Sequence, residues 1–91
     1  MNKDERKKLH KLEETVSRLL DEVNTVLVDI QDMEASEQEK FDNLSAGLQA
    51  SDMGQKLETS AQALQELATC LETARDNLDE ALGNFGDAAG E

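Results

Sequence analysis

LETSAQALQELATCLETARDNLDEALGNF, residues 57–85, returns a large apolar side chain every seven positions, at Leu57, Leu64, Leu71, Leu78 and Phe85. With no proline in the chain, that spacing puts all five on one line only if the segment is a long helix. Small residues stand beside the leucines, at Ser60, Ala61, Ala68, Ala74 and Ala81. They let a facing helix approach to the short end of the usual ~8–10 Å range. The segment therefore predicts a helix over 52–82, with Ser51 as its N-cap and Asp52 in its first turn. Gly83, Gly86 and Gly90 dilute helix propensity beyond it, which predicts a frayed tail over 83–91.

A second seam lies upstream. Leu9, Leu12, Val16, Leu19, Val23, Val26, Ile30 and Met33 step alternately by three and four residues, as the a and d positions of a coiled coil do. After Met33 the pattern slips. The next seam positions hold Glu37 and Lys40, while the apolar residues fall at Phe41, Leu44 and Leu48. Either a helix restarts at a Ser36/Glu39 capping box or one helix runs on through a four-residue phase insertion; continuation to about residue 43 is expected. The turn falls over 44–51, where Gly47 suits the left-handed residue that ends a helix.

These elements predict one all-α domain over 1–91, an antiparallel, coiled-coil-like helical hairpin with a first helix over 3–43 and a second over 52–82. With the turn centred near 47 and 48, facing residues have numbers summing to about 95, so Leu9 meets Phe85. The basic tip (Lys3, Arg6, Lys7, Lys8, Lys11) then sits beside the acidic end of the second helix (Asp76, Asp79, Glu80, Asp87). Each set alone opposes its helix dipole; side by side they offset one another. Leu20, Leu27 and Val28 flank the first seam and would stay wet in a bare hairpin. Together with Leu57, Leu64, Leu71 and Leu78 they predict a dimer seam, with two hairpins forming a four-helix bundle. The alternation of Val16, Val23 and Ile30 with Leu12 and Leu19 leaves a parallel two-stranded coil as the competing arrangement.

Charge narrows the functional classes. The chain carries 21 acidic against 9 basic residues, a net of −12, and phosphate binding needs the opposite balance. With no Trp, no Tyr and two Phe, it also lacks platforms for stacking bases. Direct nucleic-acid binding is not expected, and a basic protein surface is the expected partner. No continuous apolar stretch follows the Lys-rich start, so neither a signal peptide nor a membrane span is expected, and the reading is cytosolic. Cys70, the single cysteine, is expected to be a small half-buried residue beside the seam. His10 lies about sixty positions away on the basic tip, so no nucleophile and base come together. Neither a Glu-x-x-His pair nor an EF-hand loop is present. The expectation is no enzyme, no cofactor and no metal.

With Leu57 as heptad position a, Glu58, Glu72 and Asp79 occupy b, and Glu66, Glu80 and Asp87 occupy c. One flank of the second helix thus carries a carboxylate stripe roughly 40 Å long at 1.5 Å per residue. One reading is a solvated face that keeps a small bundle soluble. The sharper one is a phosphate-like field offered to a protein whose groove normally holds nucleic acid.

The segment EQEKFDNLSAGLQASDMG, residues 37–54, followed by Leu-Glu heptads, resembles a group of small acidic helical proteins of phages, prophages and mobile elements. The resemblance spans roughly residues 34–82. In that group the segment commonly reads EQE-x-FDN-x-P-x-x-LQ-x-S-x-x-G, and Ser45 stands here where proline is usual. It implies that Phe41, Asn43, Leu44, Gly47, Leu48, Gln49, Ser51 and Gly54 form a shared turn motif that shapes the turn and plugs the bundle end. It also implies a mobile-element setting. In that setting the expected role is a homodimeric inhibitor of a host nuclease or other nucleic-acid-binding defence protein, of the anti-CRISPR or anti-restriction kind. A self-assembling phage scaffold and a small secretion or antitoxin-type chaperone are the alternatives.

Overall fold

A computed structural model describes residues 1–90. They form α1 (Lys3–Asp42), a short α2 (Ala46–Gln49) and α3 (Asp52–Ala89). α1 and α3 pack along one another as an antiparallel hairpin, a rod of 68 × 15 × 14 Å.

The helix starts are built from local chemistry. The Asn2 side chain accepts the Glu5 N–H at 2.8 Å, which satisfies one end group of α1, and donates to the Glu5 carboxylate at 3.0 Å. Ser45 caps α2 through the Leu48 N–H, and Ser51 caps α3 through the Gly54 N–H at 3.4 Å. Gly47 is not a left-handed terminus: it lies inside α2, and among the described residues only Gly90 has a positive φ. The Ser45 cap takes over residues 46–49, so the connection is a single helical turn instead of an open loop.

α3 continues through 83–89, where glycine content predicts fraying. Ala89 is 3% exposed and Leu82 and Phe85 are half-buried. Packing against α1 offsets the ~1 kcal/mol that each helical glycine costs relative to alanine. Arg6 donates from Nε to the Ala89 carbonyl at 3.2 Å, and Gly90, with φ 77°, closes the helix.

The phase of α1 is the main correction. Leu12, Leu19, Val26 and Met33, read from the sequence as half of the seam, are 50%, 46%, 48% and 54% exposed. Apart from His10 beside Leu9, the buried and half-buried positions are instead Leu9, Glu13, Val16, Leu20, Val23, Leu27, Ile30, Glu34, Glu37, Phe41 and Leu44. Those steps alternate four and three without a break, so α1 has no phase insertion. Leu27 is the most deeply buried large side chain, at 3%, and Leu20 is half-buried; neither is left wet by the hairpin. Val28 is exposed at 54%. Phe41 and Leu44 explain the choice. They must turn inward to close the end of the rod, and counting back from them in helical steps selects the column holding Leu27, not the one holding Val26.

α3 presents an equally regular line: Gly54, Leu57, Ala61, Leu64, Ala68, Leu71, Arg75, Leu78, Leu82, Phe85 and Ala89 are all buried or half-buried. Ala61 and Ala68, each 4% exposed, alternate with the leucines, so one helix supplies small residues where the other supplies large ones.

Candidate functional site: two unlike flanks of a helical rod

The seam divides the rod into two long flanks. The first is polar. Gln31 donates from Nε2 to the Glu72 carboxylate at 3.3 Å, which sets the column His10, Ser17, Asn24, Gln31 and Gln38 of α1 beside the column Glu58, Gln65, Glu72 and Asp79 of α3. Glu66, Glu80 and Asp87 stand about 100° further round α3, on its outer face, beyond the column Gln62, Thr69, Asp76 and Gly83. Glu58, Glu66, Asp79, Glu80 and Asp87 are exposed, and Glu72, bound by Gln31, is half-buried. All six ride on one uninterrupted 38-residue helix, so the stripe from Glu58 to Asp87 extends about 44 Å at 1.5 Å per residue.

The opposite flank is apolar along its middle, with Glu22, Asp29 and Glu37 on its α1 side. Met33 and Glu37 line an open depression with Ser60, Ala63 and Leu64. Another is lined by Leu9, Ala81, Asn84, Phe85 and Ala88. The exposed column Leu12, Leu19, Val26 and Met33 of α1 therefore runs on the same side as Ser60, Leu67, Ala74, Ala81 and Ala88 of α3. The next α3 column outward reads Ala63, Cys70, Asn77 and Asn84. From Ser60 to Ala88 neither α3 column holds an ionisable side chain other than Cys70. Leu67 is 44% exposed, and Cys70 is exposed, not half-buried, because it falls on this outer column.

The turn closes the rod. Gln49 donates from Nε2 to the Phe41 carbonyl at 3.1 Å, and the Ser51 hydroxyl donates to the Leu48 carbonyl. Phe41, Leu44, Gln49 and Ser51 are half-buried and Gly54 is buried, while Asn43, Gly47 and Leu48 are exposed. Asn43 ends α1, its N–H donating to the Glu39 carbonyl at 3.0 Å. Gly54 has a strict requirement: a Cβ there would stand 2.5 Å from the Leu48 oxygen and 2.6 Å from the Gln49 carbonyl carbon. The backbone of α2 crosses α3 at that point, and only a residue without a side chain lets it pass.

Ion pairs along the rod are local. His10 Nδ1 lies 3.9 Å from Glu13, Lys40 bonds Glu37 at 3.0 Å, and Arg75 bonds Asp76 at 3.3 Å. Among the described residues no three His, Cys, Asp or Glu side chains are grouped to hold a metal ion. No helix among them is long and apolar enough to cross a membrane. Sequence reasoning located the acidic flank but missed two of its complements. One is Gln31, a polar residue recurring in step with the α3 acids. The other is the uncharged pair of α3 columns, whose signal is the absence of Asp and Glu from every residue they hold.

Fold and flanks define a class: an antiparallel helical hairpin with one acidic long side and one apolar long side. Comparison with family models, with curated proteins and with solved structures finds no match for the chain.

Proposed function

We propose that the protein is a non-enzymatic binding module that uses its acidic flank to occupy a basic, nucleic-acid-binding surface on another protein, most simply a host nuclease or defence protein. The observation that carries this reading is the segregation of charge on α3. Three carboxylates line the Gln31 side of α3 and three its outer face, and none lies between Ser60 and Ala88 on the two columns of the Met33 side. A purely solubilising charge has no reason to sort itself in this way. The stripe holds about one carboxylate per 7 Å, against one phosphate per ~3.4 Å on a single DNA strand. It matches phosphate in sign and line at about half the density, which suits competition for a basic groove. The resemblance of residues 37–54 to mobile-element proteins supports a host target, and the cytosol is the setting this reading requires.

The test is binding to a panel of basic nucleases at rising salt. The quadruple variant E58K/E66K/D79K/E80K should lose at least tenfold in affinity, and wild-type affinity should fall steeply between about 50 and about 500 mM salt. Affinity indifferent to both would overturn the reading. A second reading, self-association as a scaffold, is favoured by the exposed Leu12, Leu19, Val26 and Met33 column. It predicts that the quadruple variant keeps full function.

A further inference from the structure

Four large side chains on α1, each about half exposed, and the two uncharged α3 columns beside them form one strip. From Ser60 to Ala88 that strip is about 42 Å long at 1.5 Å per residue. Across a rod 15 Å wide this is a flat footprint of roughly 600 Å² per copy, which interdigitating side chains bring toward the ~800 Å² per partner of a stable interface.

We propose that this flank is the docking surface for a second copy of the chain, related by a two-fold axis perpendicular to the rod that crosses α1 between Glu22 and Val23. This face differs from the one the sequence suggests, since Leu20 and Leu27 are consumed inside the hairpin. The proposal stands apart from the acidic-flank reading, because it uses the opposite side of the rod.

Two features select a second copy, and select its direction. The α1 column is its own antiparallel complement. Read from either end, Glu5, Leu12, Leu19, Val26, Met33 and Lys40 place apolar on apolar, and they place Glu5 opposite the Lys40 of the second copy. Glu5 and Lys40 are both exposed, and pairs related by the axis have numbers summing to 45.

Charge selects the same direction. The turn-side half, residues 21–75, holds twelve acids and three bases, a net of −9. The open end, residues 1–20 and 76–91, holds nine acids and six bases, a net of −3. Copies with their turns at the same end would set −9 beside −9. The antiparallel arrangement sets each −9 beside −3 and brings each basic tip against the acidic part of its partner.

The decisive experiment measures mass by sedimentation on the full chain at about 50 μM, well above the dissociation constant of a standard-sized interface. Wild type should be a dimer. L19D/V26D should have half that mass with its helical circular dichroism intact, because both side chains are already half exposed in the hairpin. A monomeric wild type, leaving the strip to a foreign partner, would overturn the proposal, as would a dimeric L19D/V26D. Should that variant lose its helicity, cysteine cross-linking decides instead. With Cys70 replaced by serine, mixed L12C and M33C chains should form an intermolecular disulfide on oxidation, and L12C alone should not. Equal cross-linking by L12C alone would mean a different direction and would sink the two-fold arrangement.

Discussion

Val26 and Leu27 are adjacent, similar in size and similar in chemistry, yet one is 48% exposed and the other 3%. Each heads a column of its own along α1. Leu12, Leu19, Val26 and Met33 form the more apolar of the two; Glu13, Leu20, Leu27, Glu34 and Phe41 include two carboxylates. The less apolar column is the one inside. What decides is continuity with the turn, since Phe41 and Leu44 can be buried only in the phase that also buries Leu27. Hydropathy names the candidates for a helical seam, and the end of the hairpin chooses between them. The column not chosen remains available for association.

The strongest way to break this comparison is to place the same charge in each column. L27D buries an unpaired carboxylate in the seam and should cost about 3–5 kcal/mol, enough to unfold a two-helix rod. V26D should cost the isolated hairpin no more than about 0.5 kcal/mol, as surface changes do. Thermal melting followed by circular dichroism separates them, provided it is run at a concentration where the protein is monomeric. If V26D unfolds the monomer as readily as L27D, the assignment of inside and outside is wrong.

The two glycines near the turn offer a second, smaller contrast of the same kind. Gly54→Ala sets a methyl group against the backbone of Leu48 and Gln49, with no flexible side chain to move aside. It should destabilise by about 1–3 kcal/mol, the usual cost of overpacking. Gly47→Ala meets nothing within 4 Å and sits in a helical turn, so it should stabilise by about 0.5–1 kcal/mol. Melting temperatures moving in opposite directions are the expected result. A stabilising Gly54→Ala would show that α2 does not cross α3 as closely as described.

These cases mark what was legible in the sequence. The start of α3 could be read because capping is local: Ser51 bonds to an N–H group three residues away. The α3 seam could be read because its leucines have no competing column of equal strength. Half of the α1 seam, Leu9, Val16, Val23 and Ile30, could be read; the other half could not, because Leu12/Leu19/Val26/Met33 and Leu20/Leu27 lie one residue apart and differ only in how they meet Phe41. The last turns of α3 were hidden for a related reason. Gly83 and Gly86 argue locally for fraying, and the opposing influences, Arg6 on the Ala89 carbonyl and the burial of Ala89 itself, come from residues more than eighty positions away. Of the candidate site, the acidic flank was visible as a heptad pattern. The apolar flank was not, since reading it requires knowing which α1 column the hairpin has already used.

The smallest effect tests the unused column most finely. Glu22 lies between Leu19 and Val26 on the outward edge of that column and is exposed. In the proposed antiparallel dimer it stands next to the axis, so its nearest charged neighbour across the interface is the Glu22 of the second copy. Two carboxylates about 7 Å apart in a water-like medium repel by about 0.6 kcal/mol, and more where solvent is partly excluded. Glu22→Gln should therefore tighten dimerisation by about threefold, with the gain shrinking as salt rises. Asp79→Asn removes the same charge on the opposite flank of the rod, beside the Gln31 column, and provides the control, because it should leave the dissociation constant within experimental scatter. Equal tightening by both variants would assign the effect to net charge alone and move the axis away from residue 22. Tightening by Glu22→Gln only would locate the axis on the column that the turn left outside.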